Sequence, residues 1–318
     1  LLIGSLLVAF VIAESVARSI RVTNTVHENE PTMHEFDPDL GWTNKPGRYE
    51  FASYAPGGDP VHVTFLENRA RRTRAGQSAE ADARPKLVLI GGSYTQGFAI
   101  SDEETFAWRL QERFRHFEVL NYGTGAYGTY QTLLRLERLL PELSNPALVV
   151  YGFIEHHELR NVAPASWISV LARNSERGHL AVPFATLDEA GALVRRPPDS
   201  FAAFPLTKEL AMMALAEQAT MALRTRGRLE QSRPVTEALL RRMAAVSAAH
   251  GAEFRVVLLE AEPATIGHYE AYLAGIGIPV AKCAFPLTPE MRVRGEGHPN
   301  PRMHARWARC IERFLRRA

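Results

Sequence analysis

Lys86-Leu87-Val88-Leu89-Ile90-Gly91-Gly92-Ser93-Tyr94-Thr95-Gln96-Gly97 is the stretch on which the fold turns. Its first half is a short, unbroken apolar run. Such a run suits a strand buried on both faces, as in parallel sheets. Two glycines then permit a tight turn, so the hydroxyl of Ser93 can stand clear of the backbone. Helical spacing follows over 103–115, with Phe106, Leu110 and Phe114 on one face. Further along, strand patterns at 117–121, 148–153, 254–260 and 278–281 alternate with helix patterns at 130–140, 235–250, 265–274 and 302–316. Pro141 stops the first of these helices, and Gly251 is a C-terminal stop for the second. The alternation predicts an α/β protein: a flavodoxin-like three-layer α/β/α sandwich around a five-stranded parallel sheet. A polar and mixed stretch at 162–232 interrupts the pattern. Sheets of this kind bind ligands outside the carboxyl ends of their strands. Chemistry is therefore expected just after strands one, two, three and five.

Before the first strand the chain has another character. Asp37-Pro38-Asp39 and Pro56-Gly57-Gly58-Asp59-Pro60 are turn signals. Residues 48–54 and 61–66 alternate well enough to form strands, as a hairpin, and 75–85 is small and polar like a linker. The expected organisation is an N-terminal segment (1–25), a small β-rich segment and linker (26–85), and an α/β domain (86–318) carrying the 162–232 insertion.

Leu1 to Ala13 is apolar and uncharged but shorter than the ~20 residues that span a bilayer. The chain does not begin with Met, so an incomplete membrane anchor is the leading expectation. A signal-peptide core is the second, because Val11 and Ala13 have the spacing of a small-residue cleavage site. A buried helix is the bland alternative. Glu14 and Arg18 mark an expected exit into water. Both leading expectations put the rest of the chain in the periplasm or another extracytoplasmic space, membrane-anchored or secreted. Cys283 and Cys310 would be free to pair there, or could be two buried thiols.

Charge excludes little. Lys and Arg number 37 against 35 Asp and Glu, a net charge of +2, which offers no reason to propose a nucleic-acid partner. Residues 292–318 nevertheless carry eight Arg and two Glu, the composition of a solvated basic helix.

Each predicted strand end carries distinctive residues. After the first stands Ser93, either a capping residue of the turn or a nucleophile in need of a base. After the second comes Asn121-Tyr122-Gly123-Thr124-Gly125-Ala126-Tyr127-Gly128, a flexible turn or a source of backbone N–H groups for an oxyanion. After the third comes Glu155-His156-His157-Glu158. Adjacent residues on one element point apart, so no metal site is expected there. After the fifth comes Glu296-Gly297-His298-Pro299-Asn300, where a carboxylate two residues from a His can hold its Nδ1–H and leave Nε2 as a base.

Taken in order, these four segments resemble the SGNH (GDSL-type) hydrolases, from about Lys86 to the C-terminus. The region Phe36-Asp37-Pro38-Asp39-Leu40-Gly41-Trp42, followed by Lys45-Pro46-Gly47, is similar to the N-terminal region of the membrane-anchored bacterial branch. The resemblance implies a cofactor-free serine esterase with Ser93 as nucleophile, His298 as base and Glu296 as the acid that orients it. It further implies an oxyanion hole made by the N–H groups of Ser93 and of Ala126 or Gly125, with His157 in the place of an Asn donor. The chain departs from the family pattern at Gly92 (for Asp), Glu296 (for Asp), Ala126 (for Gly) and His157 (for Asn). A His donates only in the right tautomer, and its charge is expected to vary with pH. The expected substrate is an acyl ester, such as an O-acylated envelope glycan. An envelope O-acyltransferase using the same residues and a non-catalytic glycan-binding or scaffold protein are the alternatives. Trp167, Phe184, Phe201 and Phe204 in the insertion would line a substrate groove or pack a small core of its own.

Overall fold

A computed structural model describes residues 2–20, 33–54, 57–79, 82–173, 181–201, 204–207 and 209–317. The expected boundary at 25/26, Pro56 of the turn and positions 80–81 of the linker lie outside these residues. In chain order the first elements are α1 (Leu2–Ile20), β1 (His34–Asp37), β2 (Gly41–Asn44), β3 (Gly47–Phe51) and β4 (Val61–Phe65). β5 (Lys86–Gly91), α2 (Ser93–Gln96), α3 (Phe106–Arg113), β6 (Glu118–Asn121), α4 (Thr129–Leu139) and β7 (Pro146–Ile154) follow. Then come α5 (His156–Asn161), α6 (Ala165–Arg173), β8 (Ala181–Leu187), β9 (Leu193–Ser200) and α7 (Ala211–Arg224). The chain closes with α8 (Ser232–Ala249), β10 (Glu253–Glu260), α9 (Pro263–Gly275), β11 (Val280–Lys282) and α10 (Pro301–Leu315).

The central sheet has five strands in the order β11-β10-β7-β5-β6, all parallel. This is the flavodoxin-like order, and it reverses between β5 and β7, the position where sheets of this kind place their ligands. The apolar run that begins the fold alternates between two cores. Val88 and Ile90 pack under α4, α8 and α9 with Leu133, Leu239 and Tyr269. Leu87 and Leu89 pack on the other face under α3 and α10 with Phe106, Leu110, Trp307 and Ile311. Each such side chain contributes roughly 1.5–3 kcal/mol by leaving water. α10 turns Met303, Trp307 and Ile311 inward and leaves Arg302, Arg306 and Arg309 exposed, as its basic composition suggested.

β1–β2 and β3–β4 are antiparallel pairs, and the chain beyond β4 joins the edge of β6 through an Arg71–Asn121 bridge. The 162–232 stretch is more structured than its polarity suggests. It holds α6, a β8–β9 hairpin and α7. β9 is largely exposed and contains Pro197-Pro198, which conceals a two-stranded ribbon from pattern reading. Of the insertion aromatics, Phe184, with Trp167 and Phe201 beside it, packs against Leu40, Trp42, Tyr127 and Met221. Their core is thus shared with β2.

α1 is long and apolar enough to cross a membrane by length and composition. Its Leu2–Ile12 face is exposed, but Glu14 does not enter water as expected. The Glu14 carboxylate accepts the N–H groups of Ala211 (2.8 Å) and Met212 (3.0 Å), the open first turn of α7. A carboxylate there answers both the unpaired donors and the helix dipole.

Cys283 and Cys310 form a disulfide across 27 residues, with Cα atoms 5.8 Å apart. The closed loop contains Glu296 and His298. Chain entropy for a loop of this length corresponds to about 3.5 kcal/mol. Replacing both cysteines with serine is expected to lower the unfolding free energy by about 2–4 kcal/mol in a urea titration. Added reductant should then shift the wild-type midpoint but leave the variant's midpoint in place.

Candidate active site

Segments leaving the carboxyl ends of the parallel strands meet at one rim. β5 ends in Gly91, and Ser93 opens α2 two residues later, 6% exposed. Ser93 Oγ lies 3.0 Å from His298 Nε2. His298 Nδ1 lies 2.6 Å from Glu296 Oε1, and Glu296 Oε2 accepts the His298 backbone N–H at 2.8 Å. Gly297 lies between them at φ +98°, a left-handed conformation in a turn that brings the carboxylate to the Nδ1 edge of the ring. Glu296 thereby takes Nδ1–H and leaves Nε2 to accept from the Ser93 hydroxyl. Tyr94 and Phe98 pack on the imidazole with ring centroids at 5.7 and 4.9 Å. Hydroxyl, imidazole and carboxylate in this order can strip a proton from an attacking oxygen.

His157 is 0% exposed in the turn after β7, whereas its neighbour His156 is turned outward. The hydrogen bonds around its Nδ1 assign its tautomer. Asn161 Oδ1 accepts the Tyr130 N–H at 2.9 Å, so its amide nitrogen donates to Thr129 Oγ1 at 3.1 Å. Thr129 Oγ1 lies 2.9 Å from the Tyr151 hydroxyl, which lies 2.6 Å from His157 Nδ1. The Ile154 N–H also faces Nδ1, at 3.5 Å. A backbone N–H can only donate, so Nδ1 is the acceptor and the proton resides on Nε2. Burial, with smaller contributions from Arg160 and His156, holds His157 well below the usual imidazole range. It stays neutral near pH 7, which corrects the expectation of a pH-variable charge.

Nε2 of His157 is buried with no hydrogen-bond partner among the described residues. Its ring fills the volume beside Gly92, where a Cβ would come within 2.6 Å of Nε2 and 3.2 Å of the Tyr127 carbonyl. The Gly at 92 and the His at 157 are therefore one feature, since the ring takes the space an Asp side chain would need.

In the turn after β6, Ala126 adopts φ +65°, the left-handed conformation that a Gly takes without strain. The Gly125 and Ala126 N–H groups are engaged by no other described residue. Side chains of β2 brace this turn. Trp42 Nε1 donates to the Gly125 carbonyl at 2.9 Å, and Asn44 Nδ2 donates to Gly123 at 3.0 Å. Gln96 Nε2 in turn donates to Asn44 Oδ1 at 2.9 Å, and Asn121 Nδ2 donates to the Thr95 carbonyl at 2.9 Å.

Arg71 braces the serine segment. Its guanidinium is 1% exposed and donates to Asp102 (3.0 Å) and to the carbonyls of Gln96 (2.9 Å), Gly97 and Ile100 (2.6 Å). Asp102 is wholly buried and also accepts the Thr64 N–H at 3.0 Å.

Of the residues singled out at the strand ends, the structure brings Ser93, His298 and Glu296 into one hydrogen-bonded line and sets His157 beside Gly92, with Gly125 and Ala126 in the turn after β6. Trp42, Asn44, Arg71 and Tyr151 were missed. The one sequence signal available for Trp42 was its place in the Phe36–Trp42 region. Among the described residues, no group of three or more His, Cys, Asp or Glu side chains is arranged to hold a metal ion.

No protein-family model and no curated protein matches the chain. Several solved structures are similar to it. The structure of TesA is 17% identical, with 73% of this chain and 98% of that one covered and a TM-score of 0.42. A psychrotrophic esterase, EstA, from a Pseudoalteromonas species is 11% identical over 74% of this chain and 100% of its own, with a TM-score of 0.43. A member of the lipolytic G-D-S-L family from Veillonella parvula is 12% identical over 73% and 99%, with a TM-score of 0.36.

Proposed function

We propose that the chain is a serine ester hydrolase of the SGNH type, held at or beyond the outer face of a membrane. The observation that carries this reading is the unbroken line from Ser93 Oγ through His298 to Glu296, at 3.0 and 2.6 Å. Ser93 Oγ attacks the ester carbonyl carbon while its proton passes to His298 Nε2. The carbonyl oxygen becomes an oxyanion, held by the N–H groups of Ser93 and Ala126 (or Gly125) and by His157 Nε2–H. Collapse breaks the bond to the alkoxy group, which leaves with the proton from His298. Water, deprotonated by the same imidazole, then cleaves the acyl-enzyme to a carboxylic acid and restores Ser93. Glu296 balances the imidazolium in both halves. An O-acylated envelope glycan is the proposed natural ester. The apolar α1 and the Cys283–Cys310 disulfide support an oxidising, extracytoplasmic setting.

The test is covalent labelling. A fluorophosphonate probe is expected to modify Ser93 in the folded protein, and His298→Ala should prevent it. Folded wild-type chain that stays unlabelled would overturn the reading. Product analysis with and without a polysaccharide acceptor separates hydrolysis from acyl transfer.

Tyr151 has a positioning role in this scheme. Tyr151→Phe removes the strong donor to Nδ1, so the proton can migrate there and leave Nε2 bare. Losing part of an oxyanion donor is expected to lower kcat about tenfold or more with KM little changed. A change confined to KM or to melting temperature would show that Tyr151 acts only in packing.

A further inference from the structure

Arg160, near the end of α5, is a guanidinium with no ion-paired carboxylate among the described residues. Its Nε is buried with no hydrogen-bond partner among those residues. Nη1 donates to the Tyr127 carbonyl at 3.0 Å, and the guanidinium carbon sits 4.6 Å from the centroid of the Trp167 ring. Trp167 Nε1 is likewise buried and unpartnered. The Tyr127 carbonyl is the group that flanks Gly92, the residue before Ser93, so the arginine is fastened to the wall of the serine turn. Its charge is felt by Tyr94 and by Glu260 at the end of β10.

We propose that Arg160, with Trp167 Nε1 beside it, binds a carboxylate that the substrate carries close to its scissile ester. The inference rests on the ester-hydrolase reading and deepens it. A charge withdrawn from water costs free energy unless something answers it, and here burial lowers the guanidinium to about 10. One carbonyl and one aromatic face do not supply a negative charge. The unpartnered planar Nε edge matches a carboxylate. Glu260 does not neutralise it. That carboxyl has an unpartnered oxygen and is pushed upward by burial first and then by Glu155 and Glu262. The same acidic neighbours, against a single buried arginine, favour a singly charged group over a phosphate dianion.

Two matched ester pairs test this. On the acyl side, p-nitrophenyl hydrogen succinate is compared with neutral p-nitrophenyl isocaproate. On the alcohol side, p-acetoxybenzoate is compared with its methyl ester. In at least one pair the charged ester should be favoured about tenfold or more in kcat/KM, the equivalent of one charge-assisted hydrogen bond. Salt should erode the preference, Arg160→Gln should abolish it and Arg160→Lys should keep part of it. Equal rates in both pairs, or a preference that survives Arg160→Gln, would overturn the inference while leaving the hydrolase standing. Calorimetry on Ser93→Ala makes the outcome independent of turnover. Binding of a charged ester that disappears in Ser93→Ala/Arg160→Gln supports the carboxylate site even if no ester is cleaved. Absence of such binding rejects it.

Discussion

Replacing Ser93 with alanine is expected to abolish turnover of a small ester such as p-nitrophenyl acetate, with a loss of at least about 10⁴-fold in kcat. The fold should be indifferent, because among the described residues the one side-chain hydrogen bond lost is that to His298 Nε2. Melting temperature and far-ultraviolet spectra should match the wild type. Groups that act as one unit are not additive, so His298→Ala on top of Ser93→Ala should cost almost nothing more. Residual activity in both variants would come from the N–H groups of the oxyanion turn. A Ser93→Ala protein with wild-type activity would remove the assigned nucleophile, and a further loss in the double variant would mean that His298 serves something other than Ser93.

Arg71→Met should have the largest effect on stability. Arg71 is 1% exposed and Asp102 is 0% exposed. Removing the arginine leaves a buried carboxylate short of its closest partner and strips donors from the carbonyls of Gln96, Gly97 and Ile100. Breaking a buried pair from one side costs about 3–5 kcal/mol, a large share of the 5–15 kcal/mol that typically separates folded from unfolded chains. Arg72, 3.1 Å from the other Asp102 oxygen, softens the loss. Activity should fall as well, because Gln96 and Gly97 close the turn that presents Ser93. The double variant Arg71→Met/Asp102→Leu should recover part of the stability, since the unpaired buried carboxylate is gone and the Arg72 left behind is a quarter exposed. Denaturant titration reads both effects. An Arg71→Met change below about 1 kcal/mol would show that water reaches this network.

The α/β domain was largely legible because its signals are local. An apolar run ended by two glycines, repeated strand and helix periods, and a His two residues from a Glu each lie within a few positions of chain. The β8–β9 ribbon was not legible, because an exposed hairpin containing prolines has no apolar alternation to display. The burial of Glu14 escaped for another reason. Beside an apolar run a carboxylate reads as the point where a chain meets water, and only a helix start delivered from about two hundred residues away gives it donors instead.

By itself the sequence determined which residues could do chemistry and at which strand ends they would stand. β-sheet periodicity and the rule for parallel sheets need no knowledge of distant contacts. Tertiary structure alone decided how those residues are held. The pairing of Cys283 with Cys310, the grip of Trp42 and Asn44 on the turn after β6 and the seat of Arg71 under α2 all join positions far apart in the chain. So does the relay from Asn161 through Thr129 and Tyr151 to His157. Hydrogen-bond direction and desolvation depend on what surrounds a group in space, and that is decided only when the chain has closed around it.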